Sequence, residues 1–446
     1  MSARWSNILY MGGVNAVPAG LESAGKGNAM TADVVIVGAG LAGLGCACEL
    51  NSRGLSCLLV EASDGVGGRA RTDAVDGFLL DRGFQVLLTA YPEAKRLLDY
   101  TALRLHSFEP GVLIRAGGGF HRVADPWRLP SAMLRTLAAP VGTVADKLSL
   151  GKLRHRLVSD SGEEKPTPEP STIQYLRKWG FSQAMIDTFF RPLLGGIFLE
   201  LDLETSSRMF EFIFRMFSVG EASLPAAGMG AIAQQLAARL PRNVIRLRQR
   251  ADKVAPYVVT LASGEEVRAK AVVVATDKVA AAQFITGLRP LDSCGTTGFY
   301  FAAEKPPVSD PVLVLNGEGR GPINHLSVPS VVARSYAPSG KHLVSANIVG
   351  ASQRPFDLLL KDVRAQLVEW FGAAANDWQH LRTDSIPHAL PEQTPDSGGV
   401  RHDDSLVEPG LYVCGDYRET GSINGALVSG RRAAEAVSQA LGSATS

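Results

Sequence analysis

The stretch between residues 33 and 61 constrains the fold of this chain more than any other. Residues 33–37 (DVVIV) form a short β-branched run that is typical of a buried parallel strand. The glycine-rich turn GAGLAG (38–43) follows at once, and an Ala/Leu/Cys-rich segment continues to about residue 53. A second short strand (58–60) ends at an acidic residue. Strand, glycine turn, helix, strand and acid in this order predict a dinucleotide-binding βαβ unit.

Each part of this unit has a chemical purpose. Gly38 permits the tight turn off the strand, and Gly40 lets the backbone approach a pyrophosphate. Gly43 allows the helix to pack closely on the sheet, and the helix N-terminus offers free N–H groups to the phosphates. Glu61 is expected to accept hydrogen bonds from ribose hydroxyls, and its charge disfavours a 2′-phosphate.

A second glycine pair follows the acid. Residues 61–71 read EASDGVGGRAR. This segment resembles the E-x5-G-G-R extension of the flavoprotein superfamily that contains flavin amine oxidases, protoporphyrinogen oxidase and the phytoene and zeta-carotene desaturases. In that superfamily the extension runs under FAD, and the resemblance implies that Arg69 lies beside the pyrophosphate and the flavin. A planar guanidinium suits a diphosphate.

The resemblance returns near the other end of the chain. Residues 410–416 (GLYVCGD) predict a strand that leads into a glycine–acid pair, and residues 421–437 begin GSINGALVSGRR. In the superfamily this is the closing FAD motif, in which the acid, here Asp416, binds the ribityl chain. The following helix points its N-terminus at the flavin pyrimidine edge, where reduction places negative charge. Because Cys414 lies on the strand and does not face the ring, we expect FAD to be bound non-covalently.

The resemblance extends to other positions. It implies that the segment Asp81–Gly83 passes next to the flavin ring and that the backbone of Val254 touches the adenine. The predicted cofactor-binding residues are Gly38, Gly40, Leu41, Ala42, Gly43, Glu61, Ala62, Gly67, Gly68, Arg69, Asp81, Gly83, Phe84, Val254, Ala275, Gly415, Asp416, Ser422, Ile423, Asn424 and Ala426.

Two FAD motifs at opposite ends of the chain imply a cofactor domain built from separate segments. We predict an α/β fold with a Rossmann-like, discontinuous FAD-binding domain and an α+β substrate domain that contains an antiparallel sheet. The FAD-binding domain is assigned to residues 30–110, 225–290 and 386–446, and the substrate domain to 111–224 and 291–385. Residues 1–29 are interpreted as a mobile N-terminal extension or an upstream choice of start.

Composition limits the partners. The chain has a net charge of +1 and 20% charged residues, so nothing predicts a nucleic-acid partner. No apolar stretch approaches 18 residues, so no membrane-spanning helix is expected. The histidines are scattered, which predicts no metal site, and the five cysteines contain no CxxC pair, which favours a reduced, cytoplasmic compartment. Peripheral membrane contact through the helices of residues 131–159 fits a hydrophobic substrate.

In the middle of the chain, the sequence pattern predicts mainly secondary structure. Helices are predicted over residues 91–100, 131–159 (with a break near residue 140) and 356–371, and a hairpin over 111–123. Strands are predicted over residues 297–302, 311–315, 330–336 and 342–349. The apolar run from Phe189 to Leu199 suits a substrate-cavity wall and plain core packing equally well.

The flavin supplies the redox chemistry, so no catalytic triad is needed. Polyamine and monoamine oxidases of the superfamily often carry a lysine near the flavin and an aromatic pair around the amine. The segment 293–301 has no lysine, and the loop before the closing helix offers one tyrosine, Tyr417. We select Arg191, Tyr417 and Arg418 as candidate catalytic residues near the substrate.

Three hypotheses remain open. The first is an FAD-dependent dehydrogenase, desaturase or isomerase that transfers hydride to or from flavin N5 on a hydrophobic, isoprenoid-like small molecule. The second is a flavin amine oxidase that acts on an amine or amino acid with oxygen as acceptor. The third is a non-catalytic binding protein that resembles Rab GDP-dissociation inhibitors, which share the fold and bind prenylated proteins. The oligomeric state is not readable from the sequence.

Overall fold

The structure is a computed structural model that describes residues 32–159, 169–288, 293–396 and 404–443. The predicted extension over residues 1–29 lies outside the described residues. The strands are β1 (Ala32–Val37), β2 (Cys57–Val60), β3 (Thr72–Val75), β4 (Phe78–Asp81), β5 (Leu87–Leu88), β6 (Leu105–Ser107), β7 (Gly111–Ala116), β8 (Gly119–Ala124), β9 (Ala222–Pro225), β10 (Ile245–Arg246), β11 (Ala251–Ala255), β12 (Val258–Leu261), β13 (Glu266–Val274), β14 (Ser293–Ala303), β15 (Leu313–Asn316), β16 (His325–Ser327), β17 (His342–Val349), β18 (Gln379–Pro391), β19 (Leu406–Glu408) and β20 (Leu411–Val413).

The helices connect these strands and cover both sheets. They are α1 (Leu41–Ser52), α2 (Pro92–Leu97), α3 (Tyr100–Leu103), α4 (Met133–Ala138), α5 (Val144–Val158), α6 (Thr172–Lys178), α7 (Gln183–Met185), α8 (Arg191–Phe198), α9 (Ser207–Val219), α10 (Gly230–Ala238), α11 (Lys278–Phe284), α12 (Pro329–Val332), α13 (Phe356–Phe371) and α14 (Ile423–Ser443). None of these described helices is long and apolar enough to cross a bilayer.

The first sheet contains the predicted βαβ unit. Its strand order is β10-β2-β1-β13-β12-β11, and β20 pairs with the C-terminal half of β13. The strand β1 lies parallel to both β2 and β13. Its residues 34–37 are all buried, because α1 and α14 cover one face and residues such as Ala281 and Ile285, at α11, pack on the other. The two chain ends therefore build one α/β layer, as the motifs predicted.

The second sheet is the predicted antiparallel one. Its seven strands follow the order β18-β14-β17-β16-β15-β7-β8, and every pairing is antiparallel except the one between β7 and β15. The helix α13 packs its apolar side on one face through residues such as Val363 and Leu367. The other face turns toward the first sheet. The division into two domains remains a prediction, and β18 continues to Pro391, past the boundary we placed at residue 386.

Two local predictions were wrong. Residues 330–336 form no strand, because Pro329 starts the short helix α12 and a 3₁₀ turn follows at Arg334–Tyr336. Residues 91–100 are not one helix. The chain breaks at Asp99, whose side chain accepts a hydrogen bond from the Ala102 N–H and so starts α3. The hairpin β7–β8 and the helices α4, α5 and α13 are confirmed.

Candidate active site

The turn between β1 and α1 leaves an open position at the helix N-terminus. Gly38 has a φ of +107°, and a Cβ there would lie 2.9 Å from the Ala275 carbonyl oxygen. A Cβ on Gly43 would lie 2.1 Å from the Gly38 carbonyl oxygen, so the helix and the turn are in direct contact. Around Gly40, by contrast, a Cβ would meet nothing within 4 Å. Gly40 also caps α1 without any side-chain hydrogen bond, so the first N–H groups of the helix face an approachable space.

Two backbone N–H groups hold the Glu61 carboxylate in place. Its Oε2 accepts a hydrogen bond from the Ala39 N–H at 2.8 Å, and its Oε1 accepts one from the Ser63 N–H at 2.8 Å. Each carboxylate oxygen has two lone pairs, so both can still accept a ribose hydroxyl. Ala62, the neighbour of Glu61, is exposed.

The second glycine pair lies directly on the first motif. Gly67 forms a parallel bridge with Gly40, and the Gly67 N–H donates to the Ala39 carbonyl at 2.8 Å. Gly68 has a φ of +59°, in the left-handed region that favours glycine. The segment E-x5-G-G-R therefore closes over the N-terminus of α1.

Arg69 joins the two ends of the chain. Its Nη2 forms an ion pair with Asp416 Oδ1 at 2.7 Å, and its Nη1 donates to the Ala389 carbonyl at 2.8 Å. A cleft beside this pair is lined by Arg69, Asp277, Ser293, His388, Asp416 and Tyr417. The structure thus brings residues of the second and the closing motif to one place, although they lie far apart in sequence.

The closing motif positions the N-terminus of α14 next to α1. A Cβ on Gly430 would lie 2.3 Å from the Ala42 carbonyl oxygen, so the two helices cross in close contact. The Ser422 hydroxyl accepts a hydrogen bond from the Gly425 N–H at 3.0 Å. Asn424 accepts one from the Glu93 N–H at 3.0 Å. Of the other predicted contacts, Ile423 and Ala426 lie on the first turn of α14, and Val254 lies on β11.

Asp81 fastens the segment 81–84 between the two sheets. Its carboxylate accepts hydrogen bonds from the Thr72 hydroxyl (2.5 Å), the Met229 N–H (2.9 Å) and the Tyr336 hydroxyl (2.8 Å). Its carbonyl accepts another from the Tyr300 hydroxyl at 2.5 Å. Burial raises the pKa of Asp81 to about 6, and the donors oppose that rise. The segment that the resemblance places beside the flavin ring is therefore rigidly anchored.

A buried polar cluster next to this segment was missed by the sequence analysis. The Phe84 ring lies 5.0 Å from the His325 ring, measured between centroids. On β16 and β17, His325 Nε2, Ser327 Oγ and Asn347 Oδ1 are buried and have no hydrogen-bond partner within the described part of the chain. The sequence did contain a pattern that indicates this cluster. Polar residues occur at alternate positions, 325 and 327 and again 345 and 347, which places each pair on one face of a strand. We call His325, Ser327 and Asn347 the polar cluster.

The tautomer of His325 follows from its neighbours. Asn324 Nδ2 donates to the Pro192 carbonyl at 2.9 Å and lies 3.2 Å from His325 Nδ1. Because an amide nitrogen only donates, Nδ1 accepts and the proton of the neutral ring sits on Nε2. Burial lowers the pKa of His325 to about 4, so the ring is neutral near pH 7. His325 thus presents a neutral N–H donor.

The other charged side chains close to Asp81 form ion pairs with one another. Arg382 binds Asp73 at 2.8 Å and Asp384 at 2.7 Å, and Arg82 binds Asp73 at 3.0 Å. These ion pairs and the three donors on Asp81 leave no unpaired carboxylate among the described residues that contact this segment. The carboxylates of Asp73, Asp81 and Asp384 are therefore each engaged by groups within the protein.

The three candidate catalytic residues are not brought to one point. Arg191 binds Asp187 one turn earlier at 3.0 Å and donates to the Leu201 carbonyl, so its contacts are with residues nearby in the sequence. Tyr417 is buried and packs in the core of the first sheet, and Arg418 donates to the Asp404 carbonyl. Tyr417 and Arg418 stay next to the closing motif.

The apolar run from Phe189 to Leu199 is mostly core. The side chains of Phe189, Phe190, Leu194 and Phe198 are buried in the main apolar cluster, with ring contacts such as 4.8 Å between Phe181 and Phe190. This packing favours the plain core interpretation over a cavity wall.

The fold and these contacts are those of a dinucleotide-binding protein of the α/β class. A comparison with protein families identifies the class of protein. The profile of the flavin-containing amine oxidoreductases matches residues 41–438. The chain belongs to that family of FAD-dependent oxidoreductases. The residues fit FAD, since Gly40 leaves room at the N-terminus of α1 and Glu61 retains free lone pairs.

The relatives to which this chain is similar are named for different substrates. It is 30% identical to protoporphyrinogen oxidase 2 of Arabidopsis thaliana over 36% of this chain and 32% of that protein. It is 31% identical to putrescine oxidase of Kocuria rosea over 33% of this chain and 30% of that protein. These matches span only about a third of either relative. An oxidoreductase structure from Methanosarcina mazei shares the fold, with a TM-score of 0.70, 19% identity, and coverage of 92% of this chain and 100% of that one.

Proposed function

We propose that the protein is an FAD-dependent dehydrogenase that oxidises a hydrophobic small molecule, such as an isoprenoid polyene or a porphyrinogen, by hydride transfer to flavin N5. The same chemistry includes desaturation, or isomerisation where the hydride is returned. The observation that carries this proposal is that the carboxylates around the segment 81–84 already have partners within the protein. An ammonium substrate needs a free carboxylate or an aromatic cage, and the described carboxylates there are already paired.

The proposal assigns a task to each part of the site. When bound, the flavin supplies the acceptor for two electrons and a hydride. Glu61 and the N-terminus of α1 hold the nucleotide, and Arg69 and Asp416 hold the region between pyrophosphate and ribityl chain. We expect the FAD to be non-covalent, because Cys414 is fully buried beside the Cys46 thiol and points into the core against α1.

The second sheet supplies the substrate side. We assign the apolar contacts to Phe84 and its neighbour Phe108, whose rings meet edge to face at 6.3 Å. The polar cluster supplies one neutral donor, His325 Nε2–H, and one acceptor, Asn347 Oδ1, for a polar group of the substrate. Because the Phe84 ring lies against His325, we expect Phe84 to change rotamer when a substrate reaches the imidazole.

The names of the relatives support a hydrophobic substrate in part. Protoporphyrinogen oxidase 2 is named for a porphyrinogen, which gives one class to test. Because the match covers about a third of that protein, the substrate is a proposal for this chain. The test is anaerobic mixing of the FAD-loaded protein with a porphyrinogen, a polyene such as phytoene, and a panel of amines. We expect loss of the oxidised flavin absorbance with a hydrophobic compound. Rapid reduction by amines alone would overturn the proposal.

A flavin amine oxidase is the second candidate. The match to putrescine oxidase and the buried Tyr417 beside the closing motif favour it. It predicts peroxide from an amine in the presence of oxygen, and the same panel measures this. The binding-protein hypothesis predicts a protein without flavin, and the family match gives it no support.

A further inference from the structure

The helices α4 and α5 carry an unusual concentration of exposed apolar side chains. Of the fourteen exposed large hydrophobic residues in the described chain, six lie between residues 127 and 148. They are Trp127 (56% exposed), Met133 (48%), Leu134 (77%), Leu137 (43%), Val144 (63%) and Leu148 (63%). We call residues 127–148 the α4–α5 corner. An apolar concentration of this kind on a protein surface marks an interaction site.

Hydrogen bonds join the two helices of the α4–α5 corner and attach it to the rest of the protein. Lys147 Nζ on α5 donates to the carbonyls of Leu137 (2.7 Å) and Ala139 (2.8 Å), which end α4. A capping box between Thr143 and Asp146 starts α5. Asp146 also accepts a hydrogen bond from the Ser182 N–H at 2.7 Å, which fastens the corner to the body of the protein. The fold therefore holds the apolar side chains outward in a fixed arrangement.

The charged residues within this stretch of the sequence are mostly basic. Between residues 126 and 159 the only acidic residue is Asp146, which is buried. The basic residues of this stretch are Arg128, Arg135, Lys147, Lys152, Arg154 and Arg156. Arg135 and Lys152 are exposed, and Arg156 lies over the Trp179 ring at 5.6 Å. Arg128 and Arg154 pair with the acidic residues Glu221 and Asp125.

We propose that the α4–α5 corner docks on the surface of a bilayer that contains anionic lipids. Apolar side chains with a basic rim fit the boundary between acyl chains and anionic headgroups. Trp127 suits such a boundary because an indole has an apolar body and a polar N–H, and its ring stacks against the Arg154 guanidinium at 4.9 Å. The proposal goes beyond the redox function and does not depend on its substrate.

The test is co-sedimentation of the full-length, FAD-loaded protein with lipid vesicles. The vesicles are phosphatidylcholine alone or with about 30% phosphatidylglycerol. We expect binding to the anionic vesicles, weakened about tenfold in Leu134→Asp/Leu148→Asp because two apolar anchors are lost. The matched control is Leu358→Asp on α13, also an exposed leucine (49%), which should bind as the unmodified protein does.

A second variant tests the electrostatic part. Arg135→Glu/Lys152→Glu keeps the apolar corner and should remove the preference for phosphatidylglycerol over phosphatidylcholine. Flavin content and melting temperature report that each variant is folded. The proposal is overturned if the unmodified protein does not bind anionic vesicles, or if the aspartate variant binds equally well. It is also overturned if the corner joins two copies of the chain, seen as a dimer that becomes a monomer in the aspartate variant.

Discussion

At the scale of single residues, two glycines of the same motif have opposite surroundings. Gly40 faces open space and has a φ of −72°, which any residue can adopt. Gly43 is in contact with the backbone of the turn, since a Cβ there would lie 2.1 Å from the Gly38 carbonyl oxygen. Gly40 thus matters for the ligand, and Gly43 matters for the fold.

This difference predicts that the two positions respond differently to substitution. Gly40→Val should leave the melting temperature of the apoprotein unchanged and weaken FAD affinity about a hundredfold, or about 2.7 kcal/mol. Gly43→Ala should instead destabilise the protein itself, by about 1–3 kcal/mol, because the added methyl overlaps the turn. FAD titration followed by fluorescence and thermal unfolding without FAD measure the two effects. A loss of apoprotein stability in Gly40→Val would contradict this account of Gly40.

His325 is the second residue with a specific expectation. His325→Phe keeps a ring of similar shape but removes the Nε2–H donor, so kcat/KM should fall about tenfold to a hundredfold for the substrate that reduces the flavin. His325→Gln, which retains a donor, should recover part of the loss. FAD content should not change in either variant. His380→Phe is the control, because His380 packs on the other face of the sheet beside Phe301. Equal losses in the His325 and His380 variants would argue against a role at the substrate.

At the scale of the elements, Asp81 joins β4 to three other parts of the chain. The hydroxyl of Tyr336 reaches it from the 3₁₀ turn after α12, the Met229 N–H from the start of α10, and the Thr72 hydroxyl from β3. The segment 81–84 therefore keeps its position between the sheets through contacts outside its own strand.

Removing one of these contacts tests the anchor. Tyr336→Phe should lower the free energy of unfolding by about 1.5–3 kcal/mol, because a buried carboxylate loses a donor. Urea unfolding near pH 7, where Asp81 with a pKa of about 6 is mostly ionised, measures the change. The half-exposed Tyr257 gives the control Tyr257→Phe, expected to stay within about 0.5 kcal/mol. An effect no larger than the control would show that the Tyr336 hydroxyl does not hold the segment.

Some elements could be predicted from the sequence and others could not. The strand β1, its glycine turn and α1 follow from local signals, because β-branched residues, glycine spacing and helix period all agree there. Residues 330–336 contain two valines that favour a strand, yet Pro329 starts a helix turn and the Ser330 hydroxyl accepts a bond from the Leu343 N–H. That bond depends on the tertiary position of β17, which local patterns do not contain.

At the scale of the whole molecule, the site depends on contacts between distant segments. The motifs predicted that both chain ends bind one cofactor, and the ion pair between Arg69 and Asp416 brings them together. The polar cluster could not be predicted as a site, because it requires β16, β17 and the segment 81–84 to meet. Alternating polar residues showed which side chains share a face but not what that face contacts.

The buried histidine gives the whole molecule a pH-dependent stability. The pKa of His325 is about 4 in the fold against about 6.5 for a free histidine, so between these values the unfolded chain binds more protons. His325 therefore lowers stability as the pH falls from about 6.5 to about 4, by up to about 3 kcal/mol. The raised pKa of Asp81 acts in the opposite direction, because its proton binds the folded form more tightly.

The His325→Phe variant separates these contributions. Relative to the unmodified protein, its free energy of unfolding should rise as the pH is lowered from about 7 to about 5, since the ring that resists protonation is gone. Urea unfolding of both proteins across this range measures the difference. A difference that does not change with pH would mean that His325 is not held neutral by burial.

The most direct test of the central claim is an absorbance spectrum of the purified protein before and after acid precipitation. The account predicts flavin bands in the folded protein and their complete transfer to the supernatant, because FAD is held by Gly40, Glu61 and the closing motif without a covalent bond. A protein that stays colourless after FAD is added back would contradict the account. Flavin that remains with the precipitate would contradict its non-covalent part.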